Sequence, residues 1–356
     1  MGGPAGEDEV GDYLRRLFSD SDLIQFGPFQ SSIARLIAST RTPKIRKQYA
    51  AIGGGSPIRK WTEIQAAETC KILDAIAPTT APHIPYVAFR YANPLTGDVY
   101  TKLLADGFGH RGRVVAFSQY PQYSCGTTGS SLNEFYRWML KLEGQDTKTP
   151  RINWSVIDRW STHPMFIEAV AFNIMVQLDT YQPEKRKGVT LIFSAHSQPI
   201  ASVNKGDAYA VEVSATVSAV MKRLGFSNPY RLCWQSKVGF QSWLGPRTDD
   251  LVRQYIREEQ TDLVLVPIAF TSDHVETLDK ELIHESDHRG IVKRADSLND
   301  SPRFIQALAH IVKEHLEGSK RSSRQFELRC IGCHNDICRD SKDFFLGRTA
   351  RIPGDR

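Results

Sequence analysis

The run "TSDHVET", residues 271–277, places Asp273, His274 and Glu276 directly behind the apolar stretch "LVLVPIAF". Two carboxylates and an imidazole within four residues can relay protons or hold a divalent cation. The same spacing also starts a helix, with Asp273 capping and Glu276 reaching back. A further imidazole, His196, ends another apolar strand in "LIFSAHSQP", where Pro199 stops further pairing. Ligands of open parallel sheets bind in the crevice outside the carboxyl ends of the strands, so the two histidines are expected to face one cleft.

Cysteine offers a separate chemistry. "CIGCHNDIC" spaces Cys330, Cys333 and Cys338 as a metal-binding tail, for structural zinc or an iron–sulfur cluster, and points to a reducing compartment. Three thiolates need a fourth ligand: His334 would complete a zinc site, and a distant cysteine would complete a cluster. Cys70 and Cys233, in helix and strand contexts, read as buried, inert thiols. "HESDH" matches the two-histidine zinc peptidase pattern through His284 and His288. Gly290 ends that segment and no obvious third ligand follows, which favours an exposed helix end. "IGGGSPI", residues 52–58, lacks the lysine of a phosphate loop and the last glycine of the dinucleotide fingerprint. Its glycines permit a tight turn or a close backbone approach, with Ser56 placed to donate a hydrogen bond.

The elements that must position these groups are legible as periodicity. Strand-like runs are "PYVAFRY" (85–91), "RVVAFSQY" (113–120), "VTLIFSAH" (189–196), "RLCWQSK" (231–237) and "LVLVPIAF" (263–270). Between them lie helical patterns such as "MFIEAVAFNIMVQLDTY". Another is marked by Ser301 as cap, Pro302 in the first turn and one face of Phe304, Ile305, Leu308, Ile311 and Val312. Alternation of this kind gives an α/β chain with two Rossmann-like units, each a mostly parallel sheet flanked by helices. A length of 356 residues accommodates both. We expect a first α/β domain over 1–165, a second over 166–320 carrying His196 and Glu276, and a C-terminal extension over 321–356 with three cysteines.

Composition bounds the classes of function. Hydrophobic content of 41% and charged content of 24% are those of a soluble globular chain. The formal charge of +5 is spread along the sequence, and "KIRKQY" reads as a solvated helix face, so nucleic acid is not an expected partner. No apolar stretch approaches the roughly 20 residues that span a bilayer. The opening "MGGPAGEDEVGDY" is neither a secretory signal nor a transit peptide, so any address label is expected to precede this numbering. Residues 13–37 carry many large apolar groups broken by Gly27 and Pro28. Composition favours a core helix pair there over an exposed apolar lip.

Taken together, "MGGP", "RTPKI", "IGGGSPI", "FRYANPLT", "SQYPQYSCGTTGSSLN", "FSAHS", "NPYRLCWQSKVG", "WLGP", "PIAFTSDHVETL" and "CIGCHNDIC" resemble the ferrochelatase family, in its eukaryotic form with a C-terminal cluster. The resemblance runs through nearly the whole chain in the family's order. It implies insertion of Fe(II) into protoporphyrin IX to give protohaem with release of two protons. A pocket that holds the macrocycle bent, with a base on one face, would lower both the deprotonation and the metalation barriers. By resemblance His196 is the proton acceptor or a metal contact, and Glu276 with His274 and Asp273 forms the opposite acidic side, which would conduct protons out or iron in. His163, in "STHP", matches a histidine sometimes given a role, with a surface position as the alternative.

The resemblance further implies that Arg41, Lys44 and Ser56 bind propionates. Tyr49, Arg90, Tyr91, Tyr120 and Trp243 would line the pocket, with Met1 beside the ring. It supplies Cys125 as the remote fourth ligand, so that Cys125, Cys330, Cys333 and Cys338 hold a [2Fe–2S] cluster. It reverses the core reading of residues 13–37 in favour of a lip on the matrix face of the mitochondrial inner membrane, and it implies a homodimer. Under it "HESDH" is an accidental match. Three departures stand out: a strand expected before "MGGP", whose loss would cost one sheet a member; Thr40 in place of a second basic residue beside Arg41; and Gln198 in place of leucine. The competing readings are a non-catalytic porphyrin or haem carrier with a cluster sensor, and the zinc peptidase. Retention of His196 together with Glu276 argues for the enzyme.

Overall fold

The structure, a computed structural model, describes residues 1–356 apart from 25, 111, 145–149, 238–240, 259–261, 275–291, 334 and 349–356. Glu276, His284, His288 and His334 therefore lie outside the described residues.

The chain opens with a helical hairpin, α1 (Val10–Ser19) and α2 (Gln30–Ala51), whose facing sides share a core of Val10, Leu14, Phe18, Ala34, Ala38 and Tyr49. Both expectations for this segment hold in part. One face is a true core, while Phe29 and Leu36 stand 69% and 65% exposed at its outer end. Next come α3 (Ile58–Ile76) and α4 (Thr96–Ala105). The glycine-rich turn before α3 does what its composition requires. Gly53 and Gly54 take φ values of +108° and +96°, and a Cβ on Gly55 would sit 2.1 Å from the Ala5 carbonyl oxygen. The close approach is thus to the chain's own backbone.

A parallel pair follows, β1 (Arg113–Phe117) and β2 (Asn153–Ile157), bridged by α5 (Ser130–Glu143). The second sheet is a four-stranded parallel one in the order β4-β3-β5-β6. Its strands are β3 (Thr190–His196), β4 (Tyr230–Gln235), β5 (Leu263–Pro267) and β6 (Val292–Arg294). Its helices include α6 (Pro164–Asp179), the short α7 (Ile200–Asn204), α8 (Tyr209–Arg223), α9 (Thr248–Arg257) and α10 (Pro302–Glu317). The apolar face predicted for α10 is buried in full, and Ser301 occupies its N-cap position, although its hydroxyl makes no capping bond.

One strand expectation fails. Among the described residues, 85–91 form only the isolated Phe89–Leu95 bridge and bend at 90–91; Phe89 N donates to Pro94 O at 2.8 Å and Tyr91 N to Met1 O at 3.1 Å, so neither amide is offered to a neighbouring strand. Conversely, β2 was not anticipated, since "NWSVI" is too short to stand out by periodicity. The C-terminal extension is less of an appendage than its position implies. Its helix α11 (Asp336–Phe345) and the turn before it send Phe326, Phe344 and Phe345 into the core of the first half, beside Tyr136 and Trp154.

Candidate active site

The carboxyl ends of β1, β3 and β5 open into one cavity of about 2300 Å³, closed on the far side by the α1–α2 hairpin. It exceeds the few hundred to about 1,000 Å³ of a usual small-molecule pocket, which leaves room for a large ligand. Gln119 and Tyr120 line it after β1, His196 after β3, and Phe270, Thr271 and His274 after β5. Tyr13, Leu17, Phe18, Leu23 and Ile24 supply the opposing apolar wall. The cleft expected from the two histidines therefore exists, and both line it.

His196 is oriented by its own backbone. Its Nδ1 lies 2.7 Å from the Ser197 carbonyl oxygen, which can only accept, so Nδ1 carries the proton and Nε2 is the ring's basic nitrogen. Beyond it the chain pairs briefly with a second segment: Leu244 N donates to Gln198 O at 3.0 Å and Ile200 N to Ser242 O at 2.9 Å. That pairing carries Trp243 to the histidine, with ring centroids 6.4 Å apart. His274 stands edge-on to Phe270 at 4.2 Å.

Asp273 has a different role from its neighbour. Its carboxylate accepts from Ser297 Oγ at 2.7 Å, Asn299 Nδ2 at 2.8 Å and Arg294 Nη1 at 2.9 Å, and it is not part of the cavity lining. Burial alone would push its carboxyl up; the Asn299, Ser297 and Arg294 contacts outweigh this and hold it below the usual carboxylate range. Asp273 therefore anchors the loop that presents His274. Gln65, on α3, braces the same loop through Asn299 O at 2.8 Å and Thr271 O at 3.4 Å. Nothing in a lone helical glutamine signals that contact.

Of the remaining expected binding residues, Met1, Arg41, Tyr49, Tyr120 and Trp243 line the cavity. The Met1 amine donates to the Tyr120 hydroxyl at 2.8 Å, and the Arg41 guanidinium lies 5.7 Å from the centre of the Phe18 ring. Lys44, Ser56, Arg90, Tyr91 and His163 are not in the lining. Lys44 is exposed on the outer part of α2. Ser56 is buried beneath the N-terminal segment, its amide donating to Pro4 O at 2.8 Å. The Arg90 guanidinium is engaged with Asp20 at 2.8 Å and Asp22 at 3.2 Å, and the Tyr91 hydroxyl donates to Asp20. His163 is the N-cap residue of α6 and pairs with Glu314 at 3.3 Å.

Cys125, Cys330, Cys333 and Cys338 all line one end of the cavity. Among the described residues no three His, Cys, Asp or Glu side chains converge into a single-ion site. A two-iron cluster makes a weaker demand, since its thiolates bind in pairs. Two thiolates on one tetrahedral ion, at a metal–sulfur length of about 2.3 Å, lie about 3.8 Å apart. Cys125 Sγ and Cys330 Sγ are 3.9 Å apart. The Cys125 thiol hydrogen-bonds the Cys330 sulfur, bringing the latter's pKa down to about 6, with Lys342 assisting, while the Cys125 thiol is pushed up. The Cys125–Cys330 pair thus has the spacing that one iron of the expected cluster needs, and Cys333 and Cys338 share the same lining. By contrast, burial raises Cys70 and Cys233 to about 11; Cys233 is buried as expected, whereas Cys70 is half-buried and lines the cavity.

A family model described as "Ferrochelatase" matches residues 1–316. "Ferrochelatase, mitochondrial" of Bos taurus is 49% identical over 98% of this chain and 83% of its own length. The human protein of the same name is 48% identical over 98% and 82%. That of Schizosaccharomyces pombe is 48% identical over 97% and 81%. Among solved structures, "SirB from Bacillus subtilis with Fe3+" aligns with a TM-score of 0.51 at 10% identity, over 71% of this chain and 90% of its own, a likeness of fold alone. On the family match and on identity sustained over nearly its whole length, this chain belongs to the ferrochelatase family.

Proposed function

We propose that the cavity between the strand ends and the α1–α2 hairpin is where ferrous iron enters protoporphyrin IX. The protein is a metal chelatase of the last step of haem synthesis, and like its named relatives it is mitochondrial. The observation that carries the site assignment is His196: a buried backbone carbonyl holds its Nδ1–H, so Nε2 serves as the base. Two pyrrole N–H bonds break, and iron exchanges its water ligands for four Fe–N bonds, with no change of oxidation state. Each proton passes first to Nε2 of His196 and then to the acidic side carrying His274 and Glu276. Asp273 acts by holding that side in place.

Arg41, at the rim, meets a propionate, while Tyr49, Tyr120, Trp243 and Met1 bound the ring. Lys44, Ser56 and His163, outside the lining, act through neighbours, and Arg90 and Tyr91 support the hairpin that forms the wall. Cys125, Cys330, Cys333 and Cys338 hold a [2Fe–2S] cluster, which supplies a cross-link between the tail and the turn after β1. Three units, 1–165, 166–320 and 321–356, make up a protomer of a homodimer. It lies peripherally on the matrix side of the inner membrane through its exposed hairpin residues. No helix among the described residues is long and apolar enough to cross a membrane.

The deciding experiment is anaerobic Fe(II) addition to the chain with protoporphyrin IX, followed through the porphyrin absorption. Turnover is expected. Porphyrin binding without metalation would support the carrier reading instead.

A further inference from the structure

Asp22 sits in the connection between α1 and α2, with only 7% of its side chain exposed. Four N–H donors converge on it from three parts of the chain. Oδ2 accepts from Arg137 Nη2 at 2.8 Å, Arg90 Nη2 at 3.2 Å and Asn133 Nδ2 at 3.3 Å. Oδ1 accepts from Asn335 Nδ2 at 3.2 Å. The last contact differs in kind from the others. Asn335 is the N-cap of α11, and its own Oδ1 accepts from the backbone N of Cys338 at 3.1 Å. A single side chain therefore links the connection of the lip hairpin to a cluster cysteine.

A second contact makes the same connection independently. Leu23, next in sequence and part of the apolar wall, packs on the turn that bears Cys125: a Cβ on Gly126 would lie 3.2 Å from Leu23 Cδ1. Asp22, Leu23, Asn335 and Cys338 all line the same cavity.

We propose that Asp22 is a positioning residue that couples the porphyrin-facing lip to the iron–sulfur cluster through Asn335. This rests on the cluster assignment given above. When a macrocycle fills the cavity it bears on Leu17, Phe18, Leu23 and Ile24. Any shift of the lip moves Asp22, and through Asn335 it shifts the first turn of α11 and with it the surroundings of the Cys338 sulfur. Hydrogen bonding at the ligand sulfurs is one of the terms that set a cluster's potential. Coupling between two sites is reciprocal, so the redox state of the cluster must alter porphyrin affinity by the same factor.

The test is a redox titration of the full chain, monitored by the electron paramagnetic resonance of the reduced cluster, with and without metal-free protoporphyrin IX. At the lower end of ordinary coupling, about five-fold in affinity, porphyrin shifts the potential by about 40 mV for a one-electron couple. Two variants break the link at different points. Asp22→Asn removes the carboxylate; Asn335→Ser keeps a capping side chain for the Cys338 amide but is too short to reach Asp22. Each is expected to abolish most of the porphyrin-induced shift while retaining the cluster, and the double variant should add nothing further. If Asp22→Asn fails to fold, Asn335→Ser alone decides. A cluster whose shift persists in Asn335→Ser, or whose potential ignores porphyrin in the unmodified chain, overturns the coupling. Protein lacking both iron and acid-labile sulfide overturns the cluster assignment and the coupling with it.

Discussion

His196 and Asp273, of similar apparent promise in the sequence, stand in different surroundings: the first lines the cavity and the second does not. The imidazole lines the cavity with its tautomer set by a carbonyl, as a base requires. His196→Ala is expected to lower turnover by at least about 100-fold, the usual scale of general-base loss, while porphyrin still binds. Fluorescence titration of the porphyrin alongside the insertion rate separates the two effects, and near-normal turnover would remove His196 from the mechanism. Asp273 spends its carboxylate on three donors, and its pKa is depressed in the folded state. The unfolded chain thus binds the proton more tightly. Its stabilisation is present above the ordinary aspartate value of about 3.9 and is lost as pH falls through the lower folded value. Asp273→Asn should therefore melt below the unmodified protein at pH 7, with the gap closing at the acid end. A gap independent of pH would contradict this.

Among elements, the C-terminal extension most changes the picture drawn from spacing. Phe326 and Phe345 are fully buried and Phe344 is 4% exposed, all within the core built by α4, α5 and β2. Ser323 further ties the segment to Asp158 at the end of β2, through its amide at 3.1 Å and its hydroxyl at 2.9 Å. Packing of the tail into this core therefore involves side chains other than the cysteines. Phe345→Ala should cost about 3–5 kcal/mol, the scale of a large buried ring removed. Denaturant unfolding of metal-free protein would measure it. A loss below about 1 kcal/mol would mean the tail only rests on the surface.

At the scale of the molecule, the cavity has two differently built sides. Strand ends of two parallel sheets form the first, and the α1–α2 hairpin, with a small core of its own, forms the second. The hairpin's outer end carries Phe29 and Leu36 in solvent, with Arg35, Arg41 and Lys44 exposed on the same helix. Apolar groups flanked by cations suit the boundary of an anionic bilayer. The double variant Phe29→Glu, Leu36→Glu should reduce binding to vesicles containing anionic lipid by at least ten-fold in a sedimentation assay and leave insertion into detergent-dispersed porphyrin intact. Equal vesicle binding would contradict a membrane contact through the hairpin.

Local pattern alone was enough to locate β1, β3, β4 and β5, the buried face of α10, and the positions of His196 and His274 at strand ends. Each of these depends on a repeat or a boundary within about fifteen residues. The spacing of Cys330, Cys333 and Cys338 was equally plain, and the family's motifs supplied Cys125. What pairs with what across the chain was decided only by the tertiary structure. Arg90 and Tyr91 lie in a motif that pointed to the pocket, yet a carboxylate about seventy residues away, Asp20, engages both. Residues 85–91 look like a strand but find no strand beside them, and Asp22 meets Asn335 across 313 positions. A buried ion pair or a ladder is a property of two distant segments brought together, and desolvation makes such partners decisive. Periodicity within either segment carries no record of the other.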